Sequence, residues 1–249
     1  MAESASIERL PDEEFRRVLC VVAHPDDLEY GTSAAVAEWT DRGIEVSYLL
    51  LTKGEAGMQI PPDECARIRR GEQERACAEV GVAELVMLDH PDGMLVYSLD
   101  IRRDIARRIR QFKPDAVVTS AWDLEAPWGL NMADHRVAGV CVLDAVRDAD
   151  NTWVHPQLAA DEGLPKWGTR WLLVAGHPKP SHGVAVSAES VARAVRSLEA
   201  HEEYLAAIPG HPKPAEFIPA MLEGAGKALG IEHAMLFGGF DLRGRPAGP

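Results

Sequence analysis

Five short apolar runs mark out the chain: RVLCVVA (17–23), EVSYLLL (45–51), ELVMLD (84–89), DAVVTSA (115–121) and RWLLVAG (170–176). Their apolar character is continuous rather than alternating, which suits strands covered on both faces, as in a parallel sheet. Between them, polar and apolar positions recur at helical spacing. TSAAVAEWTDRG (32–43) opens on Thr32 and Ser33 as capping residues and closes on Gly43. DECARIRRGEQERACAEVG (63–81) is long, charged and closed by Gly81. In LDIRRDIARRIRQF (99–112), Ile101, Ile105, Ile109 and Phe112 form one apolar stripe, which assigns the five arginines of the segment to a solvated face.

Strict alternation of strand and helix predicts right-handed crossovers and a Rossmann-like, doubly wound α/β fold, with a mostly parallel sheet and helices on both faces. Ligands in such sheets bind beyond the carboxyl ends of the strands, where strand order reverses. In the order 3-2-1-4-5 the reversal falls between the first and fourth strands. Chemistry is therefore expected in the segments after residues 23 and 121. Beyond residue 150, Pro, Gly and Trp interrupt the pattern, and the C-terminal third is expected to be irregular. One helix is predicted from Glu189 to Leu205 and a shorter one from Phe217 to Leu229. GHPKP, present at 176–180 and 210–214, reads as two proline-stiffened loops. Nothing marks a boundary, so residues 1–249 are taken as one domain, with a core at about 17–206 and an extension at about 207–249.

Composition adds exclusions. The net charge of −13 weighs against nucleic acid and anionic membrane as partners. The acidic opening MAESASIERLPDEEF is neither a signal nor a transit peptide, and no apolar run is long enough to cross a bilayer. A cytoplasmic location is the expectation. Cys20, Cys65, Cys77 and Cys141 show no C-x-x-C spacing and read as free, buried thiols.

The first strand ends in AHPDD, where Pro25 turns the chain and leaves His24 and Asp27 free to face one point. A nitrogen and a carboxylate oxygen at that spacing form half of a tetrahedral zinc site. The loop after the fourth strand, WDLEAPWGLNMADHRVAG, supplies a third donor in His135, at the start of a helix. His24, Asp27 and His135 would leave an open fourth position, the mark of a catalytic rather than a structural zinc. Asp26, beside them and not needed as a ligand, is then placed as the general base, and Asp134 as a residue that orients a histidine.

AHPDDLEYG, LTKGEAG, RIRRGEQERACAEVGV, HPDG, ADHRVAG and PSHGVAVSAESVARAVRSLEAH follow one another in an order that resembles the PIG-L/LmbE-like deacetylases. The resemblance implies one zinc ion per chain on His24, Asp27 and His135, with Asp26 as the base and Asp134 as the aspartate of the second motif. It further implies that Arg69, three residues before Glu72, recognises a sugar and that Asp92 contacts substrate hydroxyls. The implied substrate is a small N-acylated molecule carrying a sugar. A homo-oligomer is compatible with it. One position departs from the family: Met132 stands where the second motif usually has a histidine that stabilises the oxyanion or protonates the leaving amine, and a thioether does neither. His182, after the fifth strand, and His201, on the apolar stripe Ala194, Leu198, His201, Leu205, are the two substitutes in view.

Weaker signals read mainly as structure. His90 in DHPDG belongs to a turn. The glycines of TKGEAGM could cradle a ligand, and Glu55 could cap a helix. Trp122 and Trp128 could stack on a sugar or pin their loop. The leading function is zinc-dependent removal of an N-acyl group. Hydration of an unsaturated acid on the same site and a non-catalytic sugar-binding module are the alternatives.

Overall fold

The computed structural model describes residues 7–126 and 129–243. In chain order the strands are β1 (Glu8–Arg9), β2 (Arg17–Val22), β3 (Glu45–Leu50), β4 (Glu84–Met87), β5 (Ala116–Ser120), β6 (Glu125–Ala126), β7 (Gly129–Leu130), β8 (Trp171–Ala175), β9 (His182–Ala185) and β10 (Ala234–Asp241). The helices are α1 (Thr32–Asp41), α2 (Pro62–Glu79), α3 (Leu99–Phe112), α4 (Ala133–Ala149), α5 (Gln157–Ala160), α6 (Ala188–Glu199), α7 (Glu202–Ala206) and α8 (Pro214–Leu229).

The main sheet runs β1-β9-β10-β8-β5-β2-β3-β4, and β6 pairs with β7 in a separate small hairpin. The five predicted strands appear as β4-β3-β2-β5-β8, all parallel, which is the order 3-2-1-4-5. Reversal therefore falls between β2 and β5. The sheet continues past β8 through β10, which is antiparallel to both β8 and β9. This half lies in the stretch expected to be irregular. β10 reads AMLFGGFD, and its paired glycines weaken the apolar signal of a strand.

Successive residues of β2 point to opposite faces, and both faces are covered. Val18, Cys20 and Val22 enter one core with α1, α6 and α8. Leu19 and Val21, with Ala23 just beyond, enter the other with α3 and α4. The stripe Ile101, Ile105, Ile109 and Phe112 of α3 is buried as predicted. Ser98 caps that helix by accepting the Ile101 amide N–H. All four cysteines are free and buried, and among the described residues no helix is long and apolar enough to cross a membrane.

Three local expectations are corrected. Thr32 and Ser33 lie inside α1, whose N-cap is Gly31 at φ +115°, so no side chain caps that end. The helix predicted over 189–205 breaks at Ala200–His201 into α6 and α7. Arg110 is not solvated. It is buried and donates to the carbonyls of Ala149, Asp148, Asn151, Val154 and His155. One planar guanidinium, with Nη2 shared among three acceptors, serves carbonyls in the last turn of α4 and just beyond it, which a helical stripe cannot forecast.

Candidate metal centre

β2 ends at Val22, but the ladder continues for two residues, with Leu51 and Thr52 donating to the carbonyls of Val22 and Ala23. The chain then turns at Pro25. Asp26 takes φ +79°, one of three described non-glycine residues with positive φ. The turn brings Asp27 back under its own strand end, where its Oδ2 accepts the backbone N–H groups of Ala23 and His24 at 3.1 and 2.9 Å. Oδ1 is left facing outward.

Across the switch point, α4 begins directly after Met132 and carries Asp134 and His135 in its first turn. His135 Nε2 lies 3.0 Å from Asp27 Oδ1, and His24 Nδ1 lies 3.7 Å from the same oxygen. Donors bonded at 2.0–2.2 Å to one tetrahedral zinc stand about 3.4 Å apart, so the three side chains suit such an ion. His24, Asp27 and His135 form one of two described clusters whose ligand atoms lie mutually within 4.8 Å. The other, His24 with Asp92 and Asp134, explains how His24 is aimed. Its Nε2 meets Asp92 Oδ1 at 3.0 Å and Asp134 Oδ2 at 3.3 Å, which leaves Nδ1 for a ligand. His135 is fixed in the same way through Nδ1, 3.1 Å from Asn131 Oδ1. Asn131 itself donates to Ala121 O and Asp123 O.

Charges follow from this packing. Burial works against a charged imidazole at His24, but the Asp27 carboxylate and the hydrogen bonds to Asp134, Asp27 and Asp92 push its pKa up to about 12. Burial likewise opposes protonation of His135, and Asp27 overcomes it to raise the pKa. Asp27 is held well below the usual carboxylate range: burial would raise it, and the two imidazoles outweigh that.

Burial pushes Asp26 up to about 6, against the Arg69 guanidinium, with the Asp27 charge adding to the rise. Arg69 is 2% exposed. Its Nη2 donates to Asp26 Oδ1 and Pro25 O, both at 2.5 Å, and its plane stacks 3.8 Å from the Tyr204 ring centroid. Glu72 accepts the Glu203 and Tyr204 amides at the start of α7, fixing that platform. The glycines of TKGEAGM cradle this guanidinium rather than a ligand. A Cβ on Gly54 or Gly57 would come within 2.6 or 2.5 Å of Arg69 Nη1. Glu55 caps no helix. It accepts the Asp92 and Lys53 amides and ties two loops together.

His24, Asp26, Asp27, Arg69, Asp92, Asp134 and His135 are thus brought together. Arg69 and Asp92, expected to contact substrate, bond to the site's own groups: Arg69 to Asp26 and Asp92 to His24. Asp92 holds His24 and, through Oδ2, the Ala56 amide at 2.7 Å. Asp134 does more than orient a histidine: it also accepts Gly93 N at 2.8 Å and Leu95 N at 3.1 Å, pinning the loop after β4 against α4.

His182 is not brought to the site. It lies on β9, four strands along the sheet from β2, beside Ser181 and edge-on to Trp171. His201 is fully buried at the α6–α7 break, with its Nε2 4.0 Å from Glu29 Oε2. Neither stands in for the missing motif histidine. Met132 is 56% exposed and makes no capping bond. His90 pairs with Asp104. Trp122 is partly buried against the α4 side of the core and pins its loop, and Trp128 lies outside the described residues. Sequence reasoning missed Gln73, Glu29, Asn131 and Tyr204. Only Gln73, four residues after Arg69 in α2, carries a signal, namely the i, i+4 spacing of one helix face.

A family model described as GlcNAc-PI de-N-acetylase (PIG-L) matches residues 19–146, just over half of the chain. Diacetylchitobiose deacetylase from Thermococcus kodakarensis is 36% identical over 142 residues, covering 55% of this chain and 51% of that one. A 1D-myo-inositol 2-acetamido-2-deoxy-alpha-D-glucopyranoside deacetylase from Kineococcus radiotolerans is 42% identical over 99 residues, 37% of this chain and 27% of its own. The chain thus spans about half the first relative's length and about a quarter of the second's. Among solved structures, an N,N'-diacetylchitobiose deacetylase from Pyrococcus horikoshii superposes with a TM-score of 0.81 at 24% identity, covering 93% of this chain and 86% of that one. The 4-carboxy-2-hydroxymuconate hydratase from Pseudomonas putida KT2440 gives 0.71 at 17%, covering 94% and 100%. At those identities the likeness establishes the shared fold. The segment matched by the family model holds all three candidate ligands together with Asp26, Arg69, Asp92 and Asp134, and the chain belongs to the PIG-L family.

Proposed function

We propose that the chain is a metal-dependent hydrolase that removes an N-acetyl or related N-acyl group from a small amino-sugar conjugate. The observation that carries this reading is Asp26, a carboxylate that is not among the candidate ligands, held immediately beside His24, Asp27 and His135. Zinc, one per chain on those three residues, would supply Lewis acidity toward the acyl oxygen and acidify water. The deacetylases named among the relatives support the same chemistry.

Asp26 is built as a base. Burial raises it to about 6, close to a working neutral pH, while Arg69 keeps its ionised form in reach. It accepts the proton of the attacking water and returns it to the departing nitrogen. The C–N bond breaks, and a carboxylate and a free amine leave. Asp92 and Asp134 keep the His24 ring fixed, and Asn131 does the same for His135, so the donors need no rearrangement. Arg69 and Asp92 act through Asp26 and His24. The protein is proposed to work in the cytoplasm.

One observation favours a second reading. Met132 supplies no donor where an oxyanion or leaving amine would need one, and hydration of a double bond releases no amine. Incubation with N,N'-diacetylchitobiose, followed by quantification of primary amine and acetate, tests the choice. Equal amounts of both products are expected. No amine from any N-acetylglucosamine conjugate, with loss of ultraviolet absorbance from a conjugated dicarboxylic acid, would establish the hydratase instead.

A further inference from the structure

Asp26 stands in the left-handed backbone region at φ +79°, where a residue with a side chain stays only when its surroundings hold it. The other two described non-glycine residues there are Lys113, which closes α3, and His155. What holds Asp26 is a buried amide. Gln73 Oε1 accepts the Asp26 backbone N–H at 3.0 Å, and Gln73 Nε2 donates to Glu29 Oε1 at 2.9 Å. The Asp26 carbonyl in turn accepts the Glu29 N–H at 2.9 Å. Gln73 is 1% exposed and Glu29 fully buried. An amide is the side-chain group that accepts from one neighbour and donates to the next without changing its protonation state. The Asp26 N–H on its oxygen and Glu29 on its nitrogen together set which way it faces.

On the reading that Asp26 is the general base, we propose that Gln73 is a positioning residue for it. It fixes the left-handed turn at residue 26 and so aims the carboxylate, while touching neither the substrate nor the metal ligands' donor atoms. Residue 26 in an extended conformation would swing its N–H off Gln73 and its carboxylate off Arg69. The ligand Asp27 has a separate anchor in the Ala23 and His24 amides. Loss of Gln73 should therefore disturb the base and spare the metal.

The test is Gln73→Met, which keeps length and removes both hydrogen bonds. Its zinc-loaded crystal structure, its zinc content, and its kcat and KM for N,N'-diacetylchitobiose are compared with wild type. The expected result is Asp26 out of the left-handed region, wild-type zinc, KM within about threefold and kcat lower by about tenfold or more. Gln73→Glu retains the acceptor and is expected to keep Asp26 left-handed and recover most of kcat. Asp26 unmoved in Gln73→Met, kcat within about twofold of wild type, or zinc lost together with activity would each overturn the proposal. Should Gln73→Met not fold, a loss of more than about tenfold in Gln73→Glu at its own pH optimum overturns it. A wild-type protein inactive on every N-acetyl sugar would sink the deacetylase reading, while the Asp26 conformation in Gln73→Met would still decide whether Gln73 holds it.

Discussion

Asp27 Oδ1 lies 3.0 Å from His135 Nε2, so a carboxylate from the loop after β2 and an imidazole from the first turn of α4 share one point. The two belong to the strands that flank the reversal of the sheet, where a doubly wound fold opens its crevice.

That contact makes the metal-free site a proton store. With His24 pushed up to about 12 and His135 also raised, an incoming metal ion must displace what the imidazoles hold. Zinc uptake at pH 7 should release at least about one proton per ion, and affinity should climb as pH rises. Titration calorimetry in buffers of different ionisation enthalpy measures the release. Uptake without proton release would contradict the assignment of His24.

Asp26→Asn keeps the size and removes the base. A kcat lower by about a hundredfold or more, with zinc content unchanged, is expected from the loss of general-base catalysis. Steady-state kinetics with metal analysis check it.

Asp134→Ala removes one of the two carboxylates on His24 Nε2 and two anchors of the loop after β4. Zinc affinity should fall about 10–100-fold, the usual cost of losing a ligand's orienting partner. Competition with a chromophoric chelator reads this directly.

How much of this the sequence disclosed depends on the kind of residue involved. The candidate ligands could be brought together from the sequence because His24-Pro25-Asp26-Asp27 ends an apolar run, and the expected strand order paired it with the loop holding His135. Arg110 and Gln73 were not legible in this way. The buried face of α2 carries Arg69, Glu72 and Gln73 between Cys65 and Ala76, so a rule that seeks apolar stripes sees only a charged helix. Arg110 looks like the four other arginines of its helix, all half-buried, until the end of α4 and the chain beyond it fold over it. β10 escaped because its pairing with β8 and β9 is a long-range event, and its own residues include two glycines.

His201 ties acid stability to the same region. Burial, with Arg69 and Arg75 nearby, lowers its pKa to about 3, below the ordinary value of 6.5. The unfolded chain therefore binds a proton at this residue below pH 6.5 that the folded chain refuses. Stability is lost as pH falls from 6.5 toward 3. His201→Leu should show a shallower decline over that range, measured by urea unfolding at several pH values. Parallel declines in the two proteins would contradict it.

Arg110→Met should destabilise the fold by about 3 kcal/mol, since five carbonyls, two of them in fully buried bonds, lose their donor. Thermal unfolding checks the value, and activity at temperatures where the variant stays folded should be kept.

The measurement that bears most directly on the whole account is a zinc titration of chelator-treated protein, read as acetate released from N,N'-diacetylchitobiose. Activity should be absent before zinc, rise linearly and break at about one equivalent per chain, and His135→Ala should stay inactive throughout. Full activity after chelation, or a titration indifferent to His135, would contradict the assignment of His24, Asp27 and His135 as a catalytic metal centre.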